Sequence, residues 1–334
     1  MKEIVVSKNE AGKRFDKLLN TVLKEAPTSF IYKMLRKKNI VLNDKKASGN
    51  EKLTEGDIIK IYLSDETFAK FSNETSLKDD FDAYKVDFED LNIVYEDKNI
   101  LIANKAAGRL SQKAEAGDVS INEQIIAYLI DKGEIKSESL KTFKPGICNR
   151  LDRNTSGMII FGKTLPALQK CADLLKNHDL DKYYLCLAKG KIDKGMLIKG
   201  YLKKLEGNIV KISEDEKDGN YIETFYEPLD TNGKLSLLKV KLISGKTHQI
   251  RAHLASIGHP IMGDNKYCNK ELNTEAANKY KLKYQLLHAY ELHFPEIEGE
   301  LSDLSDKRLV CDIPNQFKRI LKEEKLCLPG NQGA

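Results

Sequence analysis

No stretch of the 334-residue chain holds the roughly 18 to 20 apolar residues that cross a bilayer as a helix, so no membrane partner is expected. The opening MKEIVVSKNEAGK has too short an apolar patch for a secretory signal, which sets the cytoplasm as the expected compartment. Tryptophan is absent and carries no functional message. The six cysteines are never closer than 15 positions, so no Cys-x-x-Cys pair opens a zinc or redox site, and the thiols are expected to be reduced and mostly buried. No segment recurs at a fixed period, which argues against a solenoid.

What is present is an ordinary globular composition, 41% hydrophobic and 31% charged, with length for about two domains. The formal net charge of +5 is modest but unevenly spread: residues 1–63 carry +6, residues 64–90 carry −6, and the remainder carries +5. A basic head and a mildly basic body on either side of an acidic connector suit a polyanionic partner.

Over residues 14–25, Phe15, Leu18, Leu19, Val22 and Leu23 fall at i, i+3, i+4, i+7 and i+8, one face of a helix. Pro27, Thr28 and Ser29 supply a break and an N-cap for a second helix running to about residue 38. That helix buries Ile31, Met34 and Leu35 and turns Lys33, Arg36 and Lys37 outward as a basic cluster. Residues 40–42 and 58–63 read as strands beside the turn residues Asn43-Asp44 and Gly56-Asp57, completing two helices and a small hairpin sheet. On the segments RFDKLLNTVL, SFIYKMLRKKNIVLNDKKA and LTEGDIIKIYL, this region resembles the alpha-L RNA-binding module of a small-subunit ribosomal protein and several RNA-modifying enzymes. The resemblance implies that Lys33, Arg36 and Lys37 contact RNA; a functionally silent basic surface is the alternative.

Residues 64–90 lack sustained periodicity and read as an acidic linker. Beyond it, NIVYEDKNILIANKAAG reads as two strands, INEQIIAYLI as an amphipathic helix, and GICNRL and GMIIFGK as strands around the loop DRNTS. Thr164 caps a helix through Ala167, Leu168, Cys171, Leu174 and Leu175; residues 183–187 and 234–243 read as strands, and 247–257 as a helix ended by Gly258 and Pro260. Strands outnumber helices without alternating with them, which points to an α+β fold on a mixed, largely antiparallel sheet.

The sharpest local feature is the loop Asn149-Arg150-Leu151-Asp152-Arg153-Asn154-Thr155-Ser156-Gly157. A carboxylate between two arginines is an anion available to attack or to accept a proton, although such a loop can also be a turn that satisfies its own backbone. No Gly-x-Ser-x-Gly elbow surrounds Ser156, which argues against a serine hydrolase. His248, His253, His259 and Asp264 do not form a convincing metal set, since His248 and His253 at i, i+5 lie about 140° apart on a helix.

NRLDRNTSG is similar to the HRLDxxTSG motif of the RluA-type pseudouridine synthases, the family of the RluC-like and RluD-like enzymes. NKAAG at 104–108, DKYYLCLAKG at 181–190, GKTHQIRAHLASIGHPIMGDNKY at 245–267 and LLHAYELHFP at 286–295 agree with that family in order and spacing. The resemblance implies isomerisation of an RNA uridine to its C-glycoside, with Asp152 as the essential carboxylate, either nucleophile at C1′ or base toward the 2′ proton. It implies that Tyr184 lies against the target uracil, that Arg251 pairs with Asp152, and that Arg150 fills the space left by the flipped nucleotide. It implies no metal or other cofactor, and ribosomal RNA of the large subunit as the first target with transfer RNA as the alternative; a monomer is expected.

Three positions depart from the family pattern: Asn149 for His, Lys246 for Arg and Ala106 for Pro. They motivate the rival reading, a non-catalytic RNA-binding or ribosome-assembly factor that keeps the fold. The expected organisation is an alpha-L-type domain at 1–63, a linker at 64–90, a catalytic domain of pseudouridine synthase type at 91–325, and a disordered tail at 326–334.

Overall fold

The computed structural model describes residues 1–72, 86–115, 117–205 and 209–328. The amino-terminal part runs β1 (Lys2–Val5), α1 (Phe15–Val22), α2 (Thr28–Arg36), β2 (Ile40–Leu42), β3 (Lys45–Lys46), β4 (Ile58–Ile61) and α3 (Asp65–Ser72). Its antiparallel sheet has the order β1-β4-β2-β3. Phe15, Leu18, Leu19 and Leu23 from the first helical stripe are fully buried against Ile31, Leu35, Ile40, Ile59 and Ile61. Each such side chain stabilises the unit by about 1.5–3 kcal/mol relative to exposure.

Strand β1 is an addition to the two helices and hairpin that the sequence suggests. It sits at the sheet edge with three of its four residues exposed, so it carries no alternating apolar signal. Pro27, rather than Thr28 or Ser29, occupies the position before α2, and no side chain caps that end. The segment 64–90 opens with α3, whose Phe68 joins the same core and whose Phe71 ring stands 4.5 Å from that of Phe30. Residues 73–85 of the expected linker, and 329–334 of the expected tail, lie outside the described residues; Leu326 is buried.

In the body, β5 (Ile93–Glu96) and β6 (Ile100–Lys105) precede α4 (Ile121–Asp131), β7 (Gly146–Ile147), β8 (Ser156–Gly162), α5 (Leu165–Lys176) and β9 (Asp181–Lys189). Then come β10 (Met196–Leu205), β11 (Ile209–Ser213), β12 (Asn220–Thr231), β13 (Leu235–Leu242), α6 (Gln249–Ser256) and α7 (Lys270–Tyr280). Strands β14 (Leu287–His293) and β15 (Arg308–Val310) and helix α8 (Asn315–Glu323) follow. One eleven-stranded sheet takes the order β11-β10-β12-β13-β9-β14-β8-β6-β5, with β15 on β14 and β7 on β8. Strands β14 and β8 run parallel, and the other named pairs are antiparallel. The fold is therefore α+β on a mixed, largely antiparallel sheet.

Successive residues of a strand point to opposite faces, and β9 shows both. Tyr184, Cys186 and Ala188 pack with α4 and α6 through Ile125, Ile250 and Leu254, while Leu185 and Leu187 pack with α7 and α8 through Ala276, Phe317 and Ile320. The Thr164 hydroxyl caps α5 by accepting from Ala167 N–H at 3.3 Å, as the sequence suggests. Strands β10 to β12 carry a weaker sequence signal because Gly200 and Thr224 occupy inward positions and dilute the apolar alternation. Among the described residues no helix is long and apolar enough to cross a membrane. Cys171, Cys186 and Cys311 are buried, and Cys327 is exposed; all six thiols are free.

Candidate active site

Asp152 lies in the loop between β7 and β8, and several hydrogen bonds fix that loop. Thr155 N–H donates to Asp152 O at 3.0 Å, Leu151 N–H donates to the Ser111 hydroxyl at 3.0 Å, and that hydroxyl donates back to Leu151 O at 2.8 Å. Gly108 N–H donates to Arg153 O at 2.8 Å. The fully buried Lys105 Nζ donates to the carbonyls of Ala106, Arg109 and Arg153 at 3.1, 2.8 and 3.1 Å, clamping the NKAAG segment to the Asp152 loop. Burial lowers the Lys105 pKa to about 7 against the raising pull of Asp152. Asn149 accepts from Ile160 N–H at 2.7 Å and donates to Met158 O at 3.3 Å, so this departure from the family pattern serves the edge of β8. Gly157, at φ +116°, lets β14 approach: a Cβ there would stand 2.3 Å from Ala289 O.

The charge facing Asp152 comes from far along the chain. Arg251, buried on α6, donates through Nη1 to Asp152 Oδ2 at 2.8 Å. The rest of its guanidinium is spent on Asp264, with Nε to Oδ2 at 2.7 Å and Nη2 to Oδ1 at 2.8 Å, a planar fork matched to a carboxylate. Asp264 is fully buried and also accepts from the backbone N–H of Lys266 at 2.9 Å and Tyr267 at 3.2 Å. Burial alone would lower the Arg251 pKa, but Asp264 and Asp152 outweigh it and raise it. His248 Nε2 stands 3.8 Å from Asp152 Oδ2. Both approaches fall on Oδ2 of a side chain that is 25% exposed.

The two arginines beside Asp152 in sequence do not form this pair. Arg150 is exposed, and Arg153 turns away to donate through Nε to Gly108 O at 3.1 Å. Tyr184 is buried on β9; burial raises its pKa and the charge of Asp152 adds to the effect, so hydroxyl and carboxylate share one electrostatic environment. Tyr183 points to the opposite face, with the Lys239 ammonium 4.3 Å from its ring centre. The structure thus brings Asp152, Tyr184 and Arg251 together and leaves Arg150 at the open rim of the loop. Lys33 and Arg36 are exposed on α2 and Lys37 is exposed just past its end, which falls one to two residues earlier than the sequence suggests. Lys105, His248, Asp264 and Tyr267 complete the surroundings. Two of them, His248 and Asp264, stand in the sequence as weak metal candidates; here they face Asp152 and Arg251.

A buried guanidinium between two carboxylates, one fixed and one partly open to solvent, presents a single oriented carboxylate beside a buried tyrosine. A family model described as RNA pseudouridylate synthase matches residues 99–256, the stretch that carries Asp152, Tyr184 and Arg251. The ribosomal large subunit pseudouridine synthase C of Pasteurella multocida is 30% identical over 308 residues, covering 88% of this chain and 86% of that protein. An uncharacterized RNA pseudouridine synthase of Mycoplasma genitalium is 31% identical over 300 residues, covering 89% of this chain and 90% of its own. The human RNA pseudouridylate synthase domain containing 4 shares the fold, with a TM-score of 0.58 at 20% identity over 72% of this chain and 95% of that one. This chain belongs to the RNA pseudouridylate synthase family, and it is an isomerase that converts uridine to pseudouridine in RNA.

Proposed function

We propose that this protein isomerises specific uridines of large-subunit ribosomal RNA in the cytoplasm, acting as a monomer. The observation that carries the reading is the 2.8 Å contact from Arg251 to Asp152, made by a guanidinium that Asp264 already holds rigid. Asp152 is the essential carboxylate, Tyr184 lies against the flipped uracil, and Arg251 orients the carboxylate. Arg150, exposed at the loop rim, stacks into the space the nucleotide leaves. Taking a base out of its stack costs a few kcal/mol, less in loops and bulges than in duplex, so the targets are uridines in structured but locally unpaired RNA. Residues 1–63 act as an alpha-L-type module whose Lys33, Arg36 and Lys37 contact phosphates, 64–90 link it to the body, and 91–325 form the catalytic domain.

Support for ribosomal RNA comes from the relative of Pasteurella multocida, matched over 86% of its length, whose name specifies the large ribosomal subunit. The test maps pseudouridines in ribosomal and transfer RNA with and without the gene, then supplies purified protein to any lost position. Restoration by the natural protein but not by Asp152→Asn is the expected result. A lost site confined to transfer RNA would move the substrate, and no lost site with no activity on unmodified ribosomal RNA would leave an RNA-binding assembly factor.

A further inference from the structure

Three features around His248 exceed what the Asp152, Tyr184 and Arg251 set requires. The residue sits just before α6 in the left-handed region, at φ 56° and ψ 13°, a conformation that a non-glycine residue keeps when its surroundings impose it. Its Nδ1 lies 3.0 Å from the Tyr267 hydroxyl, while its Nε2 faces Asp152 Oδ2 at 3.8 Å. Tyr267 is itself fixed three ways: its hydroxyl accepts from Val210 N–H on β11 at 2.9 Å, its ring meets the imidazole edge-on at 5.7 Å between centres, and the Arg251 guanidinium lies 5.2 Å from its ring centre.

The hydrogen bookkeeping selects one tautomer. A phenol that accepts the Val210 N–H keeps its own proton to give, and His248 Nδ1 is the acceptor within reach. With the phenol as donor, the ring proton resides on Nε2, the nitrogen on the carboxylate's side at 3.8 Å from Oδ2, beyond hydrogen-bond distance. We propose that His248 is a positioning residue for Asp152: its Nε2–H, oriented by the Tyr267 hydroxyl, faces Oδ2 electrostatically from 3.8 Å beside the Arg251 hydrogen bond and biases the carboxylate to leave Oδ1 to the substrate. The inference rests on the reading of Asp152 as the essential carboxylate.

The groups facing the imidazole are Asp152, Arg251, Lys266, Asp264 and Tyr267. Burial is the largest influence on its pKa and the net direction is down, toward the neutral ring with a single N–H. A neutral donor holds the carboxylate without taking up its proton, whereas a second full positive charge would compete with Arg251. The arrangement ties the 245–267 segment into one device: Tyr267 sets His248, His248 and Arg251 set Asp152, and Asp264 sets Arg251.

Single-turnover rates and KM on a modifiable RNA test the proposal, with Asp152→Asn alongside. His248→Ala is expected to lower kcat about 30-fold with KM within about twofold, and His248→Gln, whose amide N–H reaches the place of Nε2, to restore most of the loss. Tyr267→Phe keeps the ring packing and is expected to cost about fivefold in kcat, and the double variant His248→Ala with Tyr267→Phe to be no slower than His248→Ala alone. Imidazole nitrogen-15 spectra of the intact protein read the tautomer directly: Nε2–H in the natural protein, a mixture in Tyr267→Phe. His248→Ala at the natural kcat, multiplicative losses in the double variant, or an Nδ1–H ring would each overturn the role. Should His248→Ala not fold, Tyr267→Phe and the spectra decide. Activity in Asp152→Asn would sink the reading of Asp152 itself, a result separate from any of these.

Discussion

The basic face of α2 and the surroundings of Asp152 both gather charge, but they are built in opposite ways. Lys33 and Arg36 lie on one helix and Lys37 caps its C-terminal end in the same αR conformation, so the three come together through local geometry, with no help from the rest of the fold. They are exposed and cost the chain little to place. Asp152 and Arg251 are 99 positions apart and meet because β8, β14, β9 and α6 bring them together, with Arg251 buried and Asp264 fully buried behind it. A surface charge cluster is a property of a segment, whereas an oriented buried ion pair is a property of a topology. The first should tolerate substitution and respond to salt; the second should do neither.

The sharpest way to break that contrast is Asp152→Asn, which keeps the shape and removes the carboxylate. We expect turnover to fall at least about a thousandfold while RNA affinity, measured by filter binding, changes by no more than a few-fold. Next comes Arg251→Met, which leaves Asp264 buried without its fork. Urea unfolding should show a loss of about 3–5 kcal/mol, and a stable Arg251→Met protein would mean the pair is no more demanding than a surface one.

Acid separates the two regions by another route. All six histidines lie beyond residue 177, and His253 and His288 are buried with pKa values lowered by burial to about 4, below the ordinary value of about 6.5. Between those values the unfolded chain binds protons that the folded one refuses. The stabilisation is therefore full above about pH 6.5 and is lost as pH falls toward about 4, by up to about 3 kcal/mol for each ring. Hydrogen exchange followed from pH 7 to 4 should show the body loosening before the amino-terminal unit; simultaneous loss would contradict this assignment.

The smallest effect belongs to the surface. Reversing Lys33, Arg36 and Lys37 to Glu should leave the melting temperature within a few degrees and kcat at saturating RNA unchanged. It should weaken RNA binding and reduce the slope of log K against log salt by up to about 2.7 if each meets a duplex phosphate. An unchanged slope would show that this face is not the contact.

The same contrast explains what could be read in the sequence. The α2 face and the stripe of Phe15, Leu18, Leu19 and Leu23 followed from spacing alone. Asp152 stood out through its loop, and Tyr184 and Arg251 followed from ordered motifs that the family resemblance made legible. The arginines next to Asp152 misled: adjacency in a loop says nothing about direction, and Arg153 bonds to Gly108 while the facing cation comes from α6. Lys105 and Tyr267 sat inside quoted motifs yet escaped notice, because a lysine solvated by three carbonyls and a phenol oriented by Val210 N–H gain their meaning from distant backbone. The helical angle between His248 and His253 does not apply, because His248 precedes α6 in a left-handed turn.

The parallel pairing of β8 with β14 puts Ser156 opposite His288, and the Ser156 hydroxyl lies 2.8 Å from His288 Nδ1, whose other nitrogen is 3.2 Å from the Cys311 sulfur. Contacts separated by 132 positions cannot form until the later partner has been synthesised and has left the ribosome. During translation, then, the aspartate emerges long before the strand that seats its loop, and a truncated product ending before β14 would carry the motif without the site. Competence therefore waits for β14, which confines RNA modification to molecules that have already made that strand.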